Sequence, residues 1–204
     1  MFGKFLHNWN KKNLKDNSYD FLFDESPPLD EYIVFDTETT GLDTKKDEIL
    51  SIGAVKIRGD KILMEEKFDL FLKPIGKVNE ESIKIHGIRN IDLENGLSPK
   101  DAIDKFLHFI GNRPLVGYYL EFDVAMINRY VKPWLGIKLP NKQIEVSGLY
   151  HDKKIKTIPD GIIDLRFDTI MKELKLPIFG KHDAINDAIM TAMIFITLQH
   201  TNKL

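Results

Sequence analysis

Three apolar, β-branched runs decide the fold: YIVFDT (32–37), ILSIGAVKI (49–57) and ILMEEKFDLFL (62–72). Each reads as a strand, and the short connections between them, including Arg58-Gly-Asp-Lys61, predict an antiparallel meander. The pattern then changes period. Ser98-Pro99-Lys100-Asp101 supplies an N-cap, a Pro at the first helical position and an acid in the first turn. Ala102, Ile103, Phe106, Leu107 and Ile110 form one face of that helix, and Gly111 closes it. PLVGYY (114–119) is a further strand, followed by a helix from about Glu121 to Tyr130. Phe167, Ile170, Met171 and Leu174 mark another helix, and residues 184 to about 200 the last. A meander followed by alternating helices and strands predicts an α/β protein with a mixed sheet covered by helices.

The chain has 204 residues, 43% hydrophobic and 29% charged, with no cysteine. That length suits one domain with a full core. Lacking cysteine, it has no thiol catalysis, disulfide framework or thiolate metal site. Lys+Arg 29 against Asp+Glu 31 leaves a net charge of -2, with no global basic field. The total averages two unlike regions. Asp20 to Glu48 holds ten acids and two lysines, whereas Lys132 to Lys181 holds ten Lys/Arg and six acids. No apolar stretch reaches the ~20 residues of a membrane span. The N-terminus has no apolar run or cleavage site and is not expected to be a secretory signal. A cytoplasmic protein is expected.

Residues 1–30 read as an arm, helical and then extended. Phe2, Phe5, Leu6 and Trp9 share a helical face among lysines, and Pro27-Pro28 bars a helix late in NSYDFLFDESPPLD (17–30). The aromatic face is expected to pack on the domain or on a partner.

Three places carry acids where folding alone does not want them. Asp36 and Glu38 lie two apart at the end of an apolar strand, so they face the same side. A divalent cation would remove their conflict, although a solvated turn would also accommodate such a pair. Asp123 lies in the first turn of a helix, where the helix dipole by itself explains an acid. Asp187 is different. HDAINDAIMTAMIFITL (182–198) is apolar nearly all round, and a carboxylate within it is costly unless paired or bound to metal. His182, five residues earlier, reads by itself as a surface or capping residue. Together, four oxygen ligands and one imidazole can hold two divalent cations roughly 3.5–4 Å apart for in-line attack on a phosphodiester. His182 would then accept the proton of the attacking water.

Asp36-Thr-Glu-Thr-Thr-Gly41, Val116-Gly-Tyr-Tyr-Leu-Glu-Phe-Asp123 and His182-Asp-Ala-Ile-Asn-Asp187 resemble, in order, the three motifs of the DnaQ-like (DEDDh) 3′–5′ exonucleases. Ser82-Ile-Lys-Ile-His86-Gly-Ile88 matches a helix often found between the first two. The resemblance spans about Glu31 to Leu198. It implies a ribonuclease-H-like fold: a central five-stranded sheet, three strands antiparallel and then parallel, flanked by helices, with 31–204 as the exonuclease domain. It implies release of nucleoside 5′-monophosphates from the 3′ end of DNA, in replication proofreading or repair. Asp36, Glu38, Asp123 and Asp187 would hold two Mg²⁺ or Mn²⁺, with His182 as general base. Thr39 would position the terminal 3′-hydroxyl and His86 would line the nucleotide pocket. Where members commonly carry His-Asn, this chain has Tyr118-Tyr119, whose phenols offer stacking and hydroxyl bonding to the nucleotide, Tyr118 as the expected contact, while at least one of the pair is expected to pack inside the sheet. Lys153, Lys154, Lys156 and Lys181 are expected to meet phosphates.

Proofreading subunits often carry a C-terminal tail for the polymerase. Only Gln199 to Leu204 follow the last helix here, so no such tail is expected. The arm is the surface left for a polymerase or other protein partner. An RNA-trimming nuclease or oligoribonuclease of the same superfamily is the alternative activity. A non-catalytic nucleic-acid or polymerase-binding module is a third reading, which predicts lost ligands, yet all four acids and the histidine are present.

Overall fold

The computed structural model describes residues 2–76, 78–157, 161–180 and 182–201, with side chains from His7 onward. Phe2, Phe5 and Leu6 of the expected aromatic face, and Lys181, lie outside the described side chains or residues. The chain runs α1 (Phe2–Lys12), β1 (Glu31–Thr39), β2 (Ile49–Arg58), β3 (Lys61–Phe71), α2 (Glu80–His86), α3 (Pro99–Ile110), β4 (Leu115–Gly117), α4 (Leu120–Leu135), β5 (Gln143–Glu145), α5 (Val146–Lys154), α6 (Phe167–Glu173) and α7 (Ala184–His200).

The five strands form one sheet in the order β3-β2-β1-β4-β5. β1 pairs antiparallel with β2, and β2 with β3. β4 joins the other side of β1 in parallel, and β5 pairs parallel with β4. The meander and the mixed sheet are as the sequence predicts. β5 has three residues and α5 nine, and neither carries a periodic apolar signal long enough to read.

Alternation along the strands separates two cores. Ile33 and Phe35 of β1 pack with α3 and α4 through Phe106, Ile103, Val124 and Ile127. Val34 faces the other way, onto Ile194, Phe195 and Leu198 of α7 with Ile170 and Tyr150. α7 lies across β1 and β2 and is buried nearly all round, as its composition requires. A smaller cluster of Leu50, Val78, Ile88 and Leu93 holds α2 to the sheet.

Two expectations are corrected. The segment 17–30 is not extended throughout, because Asn17–Phe23 forms a 3₁₀ helix capped by Asp16. Its Tyr19, Leu22 and Phe23 recur at helical spacing and join the core beside α3 and α4, and the Tyr19 hydroxyl donates to Asp104 at 2.6 Å. Burying three large side chains favours the helical turn over an extended strap. The helix expected to end near Tyr130 continues to Leu135. Val131 and Leu135 are buried, and the arm takes up its last carbonyls: Lys15 donates through its backbone N–H to Leu135 O and through Nζ to Pro133 O. Among the described residues, no helix is long and apolar enough to cross a membrane.

Candidate active site

β1 and β4 are parallel, so their carboxyl ends open on the same side of the sheet, where ligand sites of such sheets gather. β1 ends in Asp36-Thr37-Glu38, and α4 starts three residues beyond β4. The pleat directs Asp36 and Glu38 to the face covered by α7 and Thr37 to the face covered by α4. Asp187, in the first turn of α7, completes the group. Asp36, Glu38 and Asp187 each offer a carboxylate oxygen, all within 4.8 Å of one another. Asp123 approaches from α4. Its Oδ1 accepts from the Thr37 backbone N–H at 3.0 Å and from the Thr37 hydroxyl at 2.5 Å. Thr37 therefore joins the two faces, a role its sequence position does not advertise.

What lets α7 come so near is Gly53. It pairs with Asp36 across β1 and β2, and the first turn of α7 rests on it. A Cβ there would stand 2.1 Å from the Ile185 backbone nitrogen and 2.2 Å from the Ala184 carbonyl carbon. Glu145, at the end of β5, fixes the other helix. Its Oε2 accepts from the Leu120 N–H at 2.9 Å, and its Oε1 accepts from Ser147 N–H and hydroxyl. One carboxylate thus caps both α4 and α5. Neither residue belongs to a motif. A glycine inside a strand is a sign of close backbone approach and was the available signal for Gly53.

The electrostatics follow from this crowding. Burial, and then Asp123, Asp187 and Glu38 around it, push the Asp36 carboxyl well above the usual range. Burial together with Asp187, Asp123 and Asp183 pushes Glu38 up to about 8. Burial raises Asp123 to about 7, against the pull of the two Thr37 hydrogen bonds. Converging oxygen ligands whose ionised forms repel one another are a donor set suited to hard divalent cations.

Above the acids lies a cavity of about 350 Å³ lined by Asp36, Tyr118, Arg166, Phe167, His182 and Asp187. His182 is exposed at its mouth, in a left-handed turn (φ 58) that histidine tolerates better than most residues. Its backbone N–H donates to Asp187 Oδ2 at 3.1 Å. A second, smaller cavity of about 140 Å³ lies between His182 and His86. His86 Nδ1 accepts from the Ile88 N–H at 3.0 Å, so the neutral ring carries its proton on Nε2, which is buried with no partner among the described residues. Burial, and then His182, lower the His86 pKa and favour that neutral form.

The other expected residues divide. The Thr39 hydroxyl donates to Gly41 O at 2.7 Å and shapes the turn after β1. Tyr118 lines the larger cavity, but its hydroxyl donates to Leu165 O at 3.0 Å and its ring stands edge-on to Phe167. Tyr119 is exposed. Lys154 pairs with Glu173 and Lys153 donates to Thr201 O, so both brace α5 against its neighbouring segments.

The RNase_T family model, described as exonuclease, matches residues 33–195. The epsilon subunit of DNA polymerase III from Aquifex aeolicus is 30% identical over 167 residues, covering 82% of this chain and 79% of that protein. The PolC-type DNA polymerase III of Thermotoga petrophila is 30% identical over 186 residues, 90% of this chain. The chain spans only 12% of that polymerase's length. Among solved structures, cell-death related nuclease 4 superposes with a TM-score of 0.72 at 16% identity, over 84% of this chain and 64% of that one. Exonuclease X in complex with 5′ overhanging duplex DNA gives 0.62 at 21% identity, over 82% and 90%. These two share the ribonuclease-H-like sheet described above. With the family model over most of its length and an epsilon-subunit relative 30% identical over about four fifths of both chains, the chain belongs to the RNase_T exonuclease family of DnaQ-like nucleases.

Proposed function

We propose that the protein is a 3′–5′ exonuclease that releases nucleoside 5′-monophosphates from 3′ ends of DNA, in replication proofreading or repair, in the cytoplasm. The observation that carries this reading is the convergence of Asp36, Glu38 and Asp187 within 4.8 Å, with Asp123 held beside them by Thr37. These four acids would hold two Mg²⁺ or Mn²⁺. Once bound, such ions activate a water for attack and offset charge on the phosphate in the transition state.

The chain's own residues supply the rest. Thr37 and Glu145 set the position of α4, and with it Asp123. The His182 N–H bond to Asp187 ties the histidine turn to the acid cluster and leaves the imidazole at the cavity mouth, where it takes the proton of the attacking water. His86, which lines the smaller cavity beside His182, would border the pocket of the terminal nucleotide.

End-labelled single-stranded and duplex DNA and RNA, each with Mg²⁺, Mn²⁺ or EDTA, test polarity, product and metal dependence together. Stepwise shortening from the 3′ end, with mononucleotide products and no reaction in EDTA, is expected. Internal cuts, or equal rates in EDTA, would overturn the mechanism. Faster loss from RNA than from matched DNA would move the substrate to RNA.

A further inference from the structure

The arm is tied to the domain without lying flush on it. Asn10 of α1 exchanges two hydrogen bonds with the backbone of Lys138, donating to its carbonyl at 2.8 Å and accepting from its N–H at 3.1 Å. Gly136, which closes α4, lets the chain after α1 come close, since a Cβ there would stand 2.4 Å from Asn13 O. A hollow of about 890 Å³ remains between α1 and the segment that joins α4 to β5.

Trp9, Ile137 and Pro140 give this hollow apolar walls, and Lys132, Lys138 and Lys142 stand around them. Trp9 is 60% exposed, whereas Trp134, the other tryptophan, packs edge-on to Tyr19. A neighbouring hollow shares Trp9 and adds Lys12 to the rim. Among the described residues, no acid lines either hollow, and the ammonium groups of these four exposed lysines make no ion pair. A place in the last turn of a helix accounts for Lys12 and Lys132, but Lys138 and Lys142 lie outside any helix. Exposed apolar surface with a polar rim marks an interaction site, and tryptophan is prominent among the side chains that anchor one.

We propose that this groove binds a short acidic segment of a partner protein, with an apolar side chain against Trp9 and carboxylates on the lysines. The inference goes beyond the nuclease reading and does not require it. Charge complementarity calls for an anionic occupant, and position favours a peptide over a nucleic-acid strand. Lys142 directly precedes β5, so it lies on the amino-terminal rim of the parallel strands, opposite the carboxyl ends that carry the acids. Lys132 stands nine residues beyond Asp123 on α4, roughly 14 Å along the helix axis. The edge leading from Lys142 toward the acids passes a hollow lined by Glu121 and Glu145, which repel phosphate. A peptide needs no such path. Its carboxylates take the lysines while its apolar side chain fills the hollow. A partner docked there leaves the cavity above Asp36 and Asp187 open.

The test uses fluorescein-labelled decapeptides made as three random mixtures: Asp and Glu with Leu and Phe, Asp and Glu with Ser, and Asn and Gln with Leu and Phe. Labelled oligo(dT) of similar length is the nucleic-acid probe. Anisotropy is read on the full chain in EDTA, so no hydrolysis enters the measurement. The acidic–apolar mixture should bind at least about tenfold more tightly than either other mixture, and added salt should weaken it. Trp9→Ala, and Lys138→Glu together with Lys142→Glu, should each raise its Kd by about tenfold. All three side chains are exposed, so the variants should melt within about 2 °C of the parent. Their turnover of a short oligonucleotide should stay within about twofold.

Equal binding of the three mixtures, or a Kd unaltered by the substitutions, would overturn the proposal. So would oligo(dT) that binds more tightly than the acidic–apolar mixture and is lost in the same variants, since the groove would then be a nucleic-acid site.

Discussion

Glu31 and Glu38 stand near opposite ends of one strand, and each is 8% exposed. Their carboxyls are nevertheless driven in opposite directions. At Glu31, burial by itself would raise the pKa, but Arg113 and Arg58 more than offset it and hold the carboxyl below its usual range. Arg113 Nε donates to Oε2 at 2.6 Å and Arg58 Nε to Oε1 at 2.7 Å. At Glu38, burial acts in the same sense, and the neighbours are Asp187, Asp123 and Asp183. Equal burial thus yields a structural clasp at one end and a cluster of mutually repelling acids at the other. The sign of the neighbouring charge decides which. One end of β1 is complete within the chain. The other gathers the three acids, Asp36, Glu38 and Asp187, that could hold a cation.

The sharpest way to break this comparison is to change each end and read both activity and stability. Asp187→Asn should lower nuclease activity by roughly 10²–10³-fold or more. It should also raise the melting temperature of the metal-free protein, because one repelling charge is gone. A variant that kept parental activity in Mg²⁺ would place the reaction elsewhere. Gly53→Ala strikes the same end through packing. Its Cβ meets the α7 backbone at 2.1 Å, so the helix must shift. We expect a cost of about 1–3 kcal/mol by denaturant unfolding. A displacement near 1 Å would also lower kcat by about 10²-fold.

Glu31→Gln should do the reverse. Removing the charge leaves Arg113 and Arg58 with half of their clasp, and we expect a loss of about 2 kcal/mol, moderated because Arg58 is largely solvated. That corresponds to a fall of roughly 4–8 °C in Tm for a chain of this size. Its kinetic constants on an oligonucleotide should stay within about threefold of the parent. A large fall in kcat without unfolding would mean that the two ends are coupled.

The pH dependence sharpens the contrast more gently. Glu38 in the folded protein binds its proton up to about 8, whereas the unfolded chain releases it near 4.5. Between those values the native state holds more protons, so stability falls as pH rises. Calorimetry from pH 5 to 8 in EDTA should show Tm declining by several degrees, and Mg²⁺ or Mn²⁺ should flatten the decline. Identical slopes with and without metal would refute the cation site. The smallest effect is expected from Thr37→Val. Losing the hydroxyl that favours ionised Asp123 should move the acid limb of the pH–rate profile upward by less than about one unit.

Much of this site is legible in the residues themselves. Asp36 and Glu38 share a face because strands alternate, and Asp187 is conspicuous inside an apolar helix. The three antiparallel strands, and α3 with its cap and closing glycine, follow from periodicity and punctuation. Other parts were not legible, for identifiable reasons. β5 is three residues long, too short for alternation to register. The helical turn at Asn17–Phe23 exists because Tyr19, Leu22 and Phe23 find a hydrophobic wall, which no local propensity announces. Tyr118 and Tyr119 are adjacent identical residues, yet one is held by Leu165 and Phe167 and the other lies in solvent.

The sequence by itself determined which groups could do chemistry: four acids and a histidine in three ordered motifs, with oxygen ligands in a chain that has no thiol. Those identities and their local periods are properties of single segments. Only the tertiary structure decided how they meet. Gly53 admits α7, Thr37 links Asp123 to β1, and Glu145 caps α4 from the far edge of the sheet. Each of these acts between segments distant in the chain, through close approach or a single hydrogen bond. Such contacts leave no period in a sequence, because they depend on where another element has come to rest.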